Sequence, residues 1–378
     1  MPEAIAFAGI AEKNPSLYRR LRVALGDPAA WFSIDGVRVA IVRDIERDRV
    51  SQVAQADHVH SPSEMTPPLG LDADRETATA QALAVALARY GATVVRVDRT
   101  FPMIYGYHLH QAGLRVDYDP SQGVLDRRTK TEEEIAMIAS AQAVTESVME
   151  QICGMIARAR PDAAGVLHEN GKPLSSSLVR VMAAEKFLQL GFSMSHGAII
   201  ATTPDTADCH HAGDGFLVTE QPVIVDLFPR DDATRYWGDC TRTVVNGHPS
   251  DEVTKMHTAV CAAKSAAAAR FVAGNTAESV HHATIATLQA LGYPLSRGQI
   301  TDEASIQHGT GHGIGLEIHE PILLDDGGGE LLVGEVMTIE PGLYGRRCGG
   351  VRVEDMYVAT ESTARNLNRL HEGLDWRT

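Results

Sequence analysis

The sequence lacks several features that would place it in common protein classes. No apolar run approaches the roughly 18 residues that a membrane helix requires. The first ten residues have no basic flank and carry Glu3 inside an apolar patch, so we expect no secretory signal. Positive charge is also scarce, since 34 Lys and Arg stand against 49 Asp and Glu, a formal net charge of −15. We therefore expect neither nucleic acid nor a membrane as a partner.

Cysteine is equally sparse. The five cysteines are odd in number, widely spaced and free of C-x-x-C pairs. This pattern excludes a disulfide framework and a zinc–thiolate site, and it predicts reduced thiols in the cytoplasm. In other respects the composition is that of a globular protein, and 378 residues are enough for two domains.

Residues 1–125 read as a small α/β domain. Val37–Asp44 and Gly91–Asp98 are β-branched runs typical of strands, and an Ala- and Leu-rich helical stretch lies between them, followed by Gly91 as a helix C-cap. Neither a phosphate-binding glycine loop nor a nucleophile elbow occurs there.

Residues 126–378 read as a separate α+β domain. A turn cluster at 119–123 precedes a predicted capping box, in which Thr131 and Glu134 begin a long helix. Further helices are predicted over about 176–190, 249–272 and 277–291, and glycine-punctuated strands over about 307–360. This order favours helices packed on a curved antiparallel sheet.

The first candidate site residues lie on a predicted hairpin. If Asp231-Asp232-Ala233-Thr234 is its turn, Asp226 and Asp239 face each other on neighbouring strands. Two buried, opposed carboxylates need a shared proton or a cation. Two surface aspartates near a loop are the alternative from this segment alone.

A glycine-rich segment carries three histidines, His308, His312 and His319. In an extended chain the first two share a face, and His319 needs a bend or bulge to join them. A single histidine is usually structural, but three within twelve residues favour a metal or catalytic site.

Two glutamates, Glu340 and Glu354, lie at or within predicted strands with one buried face. Each suggests a metal ligand or an ion-pair partner, and a simple salt bridge between Arg352 and Glu354 is the plain alternative. Four carboxylates and a histidine suit hard or borderline divalent ions. Four negative charges are better balanced by two ions, bridged by carboxylates and a water or hydroxide, which is chemistry for hydrolysing an amide bond.

Taken in order, four motifs resemble those of the pita-bread metallopeptidases, and most of all the prolidases and aminopeptidases P. They are D-x(12)-D-x-T-R-T, H-G-x-G-H-x-x-G-x-x-x-H-E, E-P-G-x-Y and R-x-E-D, and the likeness covers about residues 127–375. It implies a pita-bread domain with a smaller N-terminal α/β domain, in a homodimer. It also implies hydrolysis of the bond before a proline in the second position of a peptide, with two divalent ions, manganese or cobalt ahead of zinc or iron.

The resemblance also implies a ligand set. Asp226 matches a terminal ligand of one metal and Asp239 a bridging ligand. His312 and Glu340 match ligands of the second metal, and Glu354 matches a ligand that bridges both.

Other positions match residues that act on the substrate or on the ligands. His308 and His319 match histidines that contact the substrate and stabilise the tetrahedral intermediate. Arg352 matches an arginine that fixes ligand orientation. His210 best matches a substrate-side histidine, and the neighbouring His211 is the alternative.

The chain departs from the family pattern at the rim of the expected site. The loop between the two aspartates is slightly longer than usual, and Leu227 and Phe228 replace small residues or glycine. Four histidines match no motif and are expected to be surface or packing residues: His58, His60, His281 and His282.

Three other functions fit the sequence less well. A creatinase-like C–N hydrolase and a catalytically inactive binding module both typically lose metal ligands, whereas all five candidate ligands are present here. Methionine aminopeptidases share the ligands but normally lack the N-terminal domain. Between a prolidase, which takes dipeptides, and an aminopeptidase P, which takes longer chains, the compact N-terminal domain favours the dipeptidase-like group.

Overall fold

The structure is a computed structural model that describes residues 2–377. The chain divides into two compact units, Met1–Arg127 and Arg128–Thr378. Within the described residues, no helix combines the length and the apolarity needed to cross a bilayer.

The first unit is built on a six-stranded mixed sheet with the order β4-β3-β2-β1-β5-β6. Strand β1 pairs antiparallel with β2 and parallel with β5, which produces the mixed arrangement. The strands are β1 (Glu3–Ile10), β2 (Pro28–Ile34), β3 (Val37–Ile41), β4 (His58–His60), β5 (Val94–Val97) and β6 (Arg115–Tyr118). The helices are α1 (Pro15–Leu21), α2 (Arg47–Val53), α3 (Arg75–Arg89) and α4 (Met103–Gln111).

Helix α3 begins and ends at residues that are typical of helix termini. The Asp74 side chain accepts a hydrogen bond from the Thr77 N–H at 2.8 Å, which satisfies one free amide of the first turn. Gly91 follows the C-cap Tyr90 with φ 82°, a conformation that favours glycine. The predicted helix and its glycine stop are confirmed.

The second unit contains four longer helices. The first begins with the predicted capping box: the Glu134 N–H donates to Thr131 Oγ1 at 3.2 Å, and the Thr131 N–H donates back to Glu134 Oε2 at 2.9 Å. The helices are α5 (Glu132–Arg158), α6 (Ser176–Gln189), α7 (Asp251–Arg270) and α8 (Ala277–Ala290).

Every strand pair in this unit is antiparallel, and the strands form two main sheets rather than one. The three-stranded sheet has the order β11-β12-β14, and the five-stranded sheet has the order β16-β15-β17-β20-β21. The strands are β7 (Arg160–Pro161), β8 (Leu167–Glu169), β9 (Lys172–Pro173), β10 (Phe192–Ser193), β11 (Ala198–Thr202), β12 (Pro222–Leu227), β13 (Arg230–Asp231), β14 (Cys240–Val245), β15 (Gly311–Gly313), β16 (Glu320–Leu324), β17 (Val336–Ile339), β18 (Gly342–Gly345), β19 (Gly349–Arg352), β20 (Asp355–Ala359) and β21 (Ala364–Asn366).

Helices pack on these sheets and provide the core. Helix α5 contacts β12 and β14, α7 contacts β19, and α8 contacts β16. The largest apolar cluster of the unit joins side chains of α5 and α6, such as Ile152 and Phe187, to strand residues such as Val223 and Val244. The α+β class predicted from the order of elements is confirmed.

Candidate active site

One cavity in the second unit gathers the side chains that the motifs singled out. It has a volume of about 700 Å³, and part of its wall is apolar, formed by Ile199, Phe228, Ile318 and Leu323. Nine predicted site residues line the same space: His210, Asp226, Asp239, His308, His312, His319, Glu340, Arg352 and Glu354.

The hairpin that carries Asp226 has a different register from the predicted one. Asp226 lies opposite Thr241, so the prediction that Asp226 and Asp239 face each other directly is wrong. The turn ends one residue later than predicted, because Arg235 adopts the left-handed conformation with φ 65°. Asp239 lies two residues before Thr241 and therefore on the same face, which makes the two carboxylates diagonal neighbours.

The two glutamates stand where a pair of strands separates. Glu340 and Glu354 lie directly beyond the last residue pair of β17 and β20. The Glu340 N–H donates to the Thr310 carbonyl at 2.8 Å, and the Glu354 N–H donates to the Thr241 carbonyl at 3.1 Å. The backbone of Glu340 is thus fixed to the residue before β15, and the backbone of Glu354 is fixed to β14.

The bend predicted for the histidine segment is present. The register between β15 and β16 shifts at His312, and the chain then loops back so that His319 meets it. The two imidazole rings contact edge to face, with 4.3 Å between their centroids. The third ring, His308, is held by the hydroxyl of Tyr344, whose oxygen lies 2.7 Å from its Nε2 atom.

The carboxylates are buried and crowded. Burial, followed by the charges of the neighbouring acids, raises the pKa of Asp239 and of Glu354 well above their ordinary values. Burial also raises the pKa of Glu340 to about 7. In the part of the chain that the structure describes, Asp226, Asp239, Glu340 and Glu354 thus share one space with a single arginine, an arrangement that needs protons or metal ions to be stable.

The donor atoms of the site fit a divalent cation. Burial lowers the pKa of His312 to about 3, so the ring is neutral, and its Nδ1 atom donates to the Gly313 carbonyl at 3.1 Å. Its Nε2 atom therefore presents a lone pair to Asp239 Oδ2 at 3.7 Å and to Glu340 Oε1 at 3.6 Å. These three atoms all carry lone pairs, so they cannot hydrogen-bond to one another unless a carboxylate is protonated. A cation between them would bind all three.

Two further observations support this fit. Ligand atoms of Asp239, His312 and Glu354, all buried, lie within 4.8 Å of one another. In addition, the Oδ1 atom of Asp226 is buried and finds no hydrogen-bond partner among the described residues. An unpartnered carboxylate oxygen in a buried site is costly, and coordination of a metal ion would satisfy it.

Arg352 takes a different partner from the one that the sequence offered. Its NH2 group contacts Asp226 Oδ2 at 2.6 Å, so the simple alternative of a salt bridge to Glu354 is wrong. Its NH1 group donates to the Cys209 carbonyl at 3.1 Å and to the Tyr344 hydroxyl at 3.0 Å. Together these contacts hold the guanidinium and fix the orientation of Asp226.

The structure distinguishes the two neighbouring histidines of the upstream loop. His210 lines the cavity. The Nδ1 atom of His211 accepts a hydrogen bond from the Gly213 N–H at 3.0 Å and lies 3.8 Å from Asp205. Of this pair, His210 is the one that the structure brings into the cavity wall.

Sequence reasoning missed two polar residues of the cavity wall. His196 lines the cavity and packs against Trp237, with 5.0 Å between ring centroids. Asp325 also lines it and pairs with Arg297 at 2.7 Å. No motif includes either residue, so only the folded chain reveals them. The contact of Tyr344 with His308 could have been suspected from the sequence, because Tyr344 is the last residue of the E-P-G-x-Y motif.

The four histidines that match no motif include both surface and packing residues, as expected. His58 and His282 are exposed, and His60 is half-buried. His281 is 1% exposed, and its ring packs against the segment that carries His308 and His312.

Comparison with known proteins agrees with this geometry. Residues 136–361 match the model of metallopeptidase family M24. Over 133 residues the chain is 37% identical to the uncharacterized peptidase YqhT of Bacillus subtilis, a match that covers 35% of each chain. Over 153 residues it is 33% identical to the Xaa-Pro dipeptidase of Pyrococcus furiosus, covering 40% of this chain and 41% of that protein. These matches span less than half the length of either relative.

Solved structures extend the likeness to the fold of nearly the whole chain. The X-Pro aminopeptidase of Thermotoga maritima superposes with a TM-score of 0.79 at 19% identity, covering 98% of this chain and 97% of that one. The prolidase of Pyrococcus horikoshii gives a TM-score of 0.75 at 20% identity, covering 99% and 95%. The pita-bread fold predicted from the motifs is confirmed, and the chain belongs to metallopeptidase family M24.

Proposed function

We propose that this family M24 metallopeptidase hydrolyses the peptide bond before a proline, using two divalent metal ions. The observation that carries the proposal is the convergence of four carboxylates and a neutral histidine in one cavity with a single arginine. The similarity to an Xaa-Pro dipeptidase and to an X-Pro aminopeptidase supports the choice of proline.

The five ligands divide between the two ions. Asp226 would bind one ion, and His312 and Glu340 the other, while Asp239 and Glu354 would bridge both. Such a pair supplies a water of lowered pKa and polarises the scissile carbonyl. The ligand types fit manganese or cobalt, with zinc or iron as further possibilities.

His308, His319 and His210 would border the substrate, and the last two would act on it. The Nδ1 atom of His308 donates to the Gly309 carbonyl at 2.8 Å, so its Nε2 atom accepts from the Tyr344 hydroxyl, and the ring is held neutral and fixed. His319 and His210 line the cavity, and no side-chain hydrogen bond of either ring is found among the described residues. We therefore infer that these two imidazoles orient a peptide and stabilise its tetrahedral intermediate.

The remaining assignments are also proposals. We assign catalysis to residues 126–378, since all nine site residues lie in the second unit, and treat residues 1–125 as a creatinase-like N-terminal domain. Five free cysteines support a reducing, cytoplasmic location. We further propose a homodimer, and a preference for dipeptides over longer chains.

Hydrolysis of matched peptides by chelator-treated protein tests this function. We expect cleavage of Ala-Pro, weaker cleavage of Ala-Pro-Ala and none of Ala-Ala, and only after manganese, cobalt or zinc is returned. Stronger cleavage of Ala-Pro-Ala would instead indicate an aminopeptidase P.

A pair of variants gives the control for that assay. Asp239→Ala should abolish turnover, whereas Asp302→Ala, at a residue that is exposed and paired with Arg346, should retain it. Equal cleavage of Ala-Ala and Ala-Pro would contradict the proline specificity, and full turnover by Asp239→Ala would contradict the metal centre.

A further inference from the structure

His281 lies behind the candidate metal centre without touching it. It belongs to helix α8, its side chain is 1% exposed, and its Nδ1 atom lies 3.0 Å from Thr310 Oγ1. Thr310 stands midway between His308 and His312 in the sequence. A helix residue outside every motif therefore contacts the centre of the segment that carries two of the predicted site histidines.

The other nitrogen of His281 identifies the hydrogen-bond donor. Nε2 lies 3.3 Å from the NH2 group of Arg297 and 3.2 Å from Asp325 Oδ1. Among the described residues, the contact with Arg297 has hydrogen-bond geometry and the contact with Asp325 does not. A guanidinium only donates, so Nε2 accepts from Arg297, and the proton of the neutral ring resides on Nδ1. Burial lowers the pKa of His281, which agrees with a neutral ring. His281 therefore donates to the Thr310 hydroxyl.

Thr310 is tied to the site by its backbone. Its N–H donates to the Leu324 carbonyl at 2.8 Å, and its carbonyl accepts from the Glu340 N–H at 2.8 Å. The side chain is fully buried. A shift of Thr310 would therefore displace the backbone of Glu340 as well as the two flanking histidines.

The neighbours of Thr310 give the segment little rigidity of their own. Gly309 and Gly311 flank it, and a Cβ atom on Gly311 would lie 2.0 Å from the Thr338 carbonyl oxygen, so the close approach of the strands requires glycine there. Between His308 and His312, Thr310 is thus the only residue with a side chain that could anchor the backbone. His281 holds that side chain.

We propose that His281 is a positioning residue of the metal centre, which acts through Thr310 to hold the 308–312 segment and Glu340 in place. His281 is not among the residues that line the cavity. The inference rests on the proposed metal centre, and it replaces the expectation from sequence that His281 only packs.

The test compares three variants with the wild type. His281→Leu fills the space without a donor, and His281→Asn places an amide N–H near the position of Nδ1. His282→Asn is the matched control, because His282 is adjacent, 60% exposed and paired with Asp326 instead. The readouts are manganese affinity by calorimetry, the visible absorption spectrum of the cobalt-loaded protein, and kcat and KM for Ala-Pro.

We expect His281→Leu to bind manganese about 10- to 100-fold more weakly, with an altered cobalt spectrum and a lower kcat at nearly unchanged KM. His281→Asn should restore most of the loss, and His282→Asn should match the wild type. A folded His281→Leu protein with wild-type affinity, spectrum and kcat would overturn the proposal and leave His281 as packing alone.

A second pair of variants covers the case in which His281→Leu does not fold. Thr310→Val removes the hydroxyl at nearly constant volume, and Thr310→Ser keeps it, so the same loss and recovery are expected with His281 intact. Wild-type behaviour of Thr310→Val would overturn the proposal. A wild-type protein that binds no metal would instead refute the proposed function, so the two failures are distinguishable.

Discussion

At the scale of single residues, Arg352 governs the charge of the site. Among the described residues, it is the only arginine or lysine in the cavity wall, and it is engaged by Asp226. Burial raises the pKa values of Asp239, Glu340 and Glu354, and the charge of Arg352 offsets this only in part. Arg352 thus orients Asp226, and the other three acids have no such ion pair and would be available to metal ions.

Replacing this arginine by lysine tests its orienting role. Arg352→Lys keeps the charge but loses the planar fork that joins Asp226 to Tyr344 and to the Cys209 carbonyl. We expect about 10- to 100-fold weaker metal affinity, measured by competition with a chelating dye. Arg346→Lys, at an exposed pair with Asp302, is the control and should not change the affinity. Equal affinity in Arg352→Lys would show that charge alone suffices.

Site residues differed in how far the sequence could predict them. Glu354 and His312 were predictable, because each lies in a motif whose residue types already indicate metal chemistry. The partner of Arg352 could not be predicted, since Asp226 lies 126 positions away and Glu354 is much nearer in the sequence. The contact of His281 with Thr310 was equally hidden, because it depends on how α8 packs against the strands.

At the scale of elements, the loop that carries His319 depends on a buried ion pair. Lys130 Nζ lies 2.9 Å from Glu320 Oε2, with side-chain exposures of 3% and 1%. The other oxygen of Glu320 accepts the Leu316 N–H at 3.1 Å, which closes the loop just before His319. The pair therefore holds the loop in the bend that brings His319 against His312.

Removing one partner of this pair should be costly. Lys130→Met removes the positive charge that lies against the buried Glu320 carboxylate, so we expect a loss of about 3–5 kcal/mol in the free energy of unfolding, measured in urea. The double variant Lys130→Met/Glu320→Gln, without net charge at the pair, should recover part of that loss. A single variant as stable as the wild type would refute this role of the pair.

Helix termini, which depend on neighbouring residues, were predicted correctly, whereas the pairing register of the strands was not. The capping box that begins α5 and the glycine that ends α3 depend on neighbouring residues, and both are confirmed. The register of the β12–β14 hairpin depends on where the turn ends, and the left-handed Arg235 has no signature in the sequence. The division of the strands into two sheets likewise results from long-range pairing.

At the scale of the whole molecule, the site should reduce the stability of the metal-free protein as pH rises. The pKa of Glu340 rises from its ordinary 4.5 to about 7 on folding. Below pH 4.5 both states hold this proton, and between pH 4.5 and 7 the folded state holds a proton that the unfolded state has released. The stability contributed by Glu340 is therefore present at low pH and lost as pH rises through 7.

The variant Glu340→Gln removes this titration, together with the charge that helps to raise the pKa values of Asp239 and Glu354. Without metal, the melting temperature of the wild type relative to Glu340→Gln should fall between pH 5 and 7.5. Added manganese should reverse that trend, because the ion replaces the proton. A temperature difference that stays constant with pH would refute the raised pKa.

The number of metal ions bound per chain tests the central claim most directly. We would measure manganese and cobalt by mass spectrometry after equilibrium dialysis of the wild type, Glu354→Ala and the control His282→Ala. The account predicts two ions per chain in the wild type and the control, and at most one in Glu354→Ala. A wild type without tightly bound metal, or a Glu354→Ala protein that still holds two ions, would contradict it.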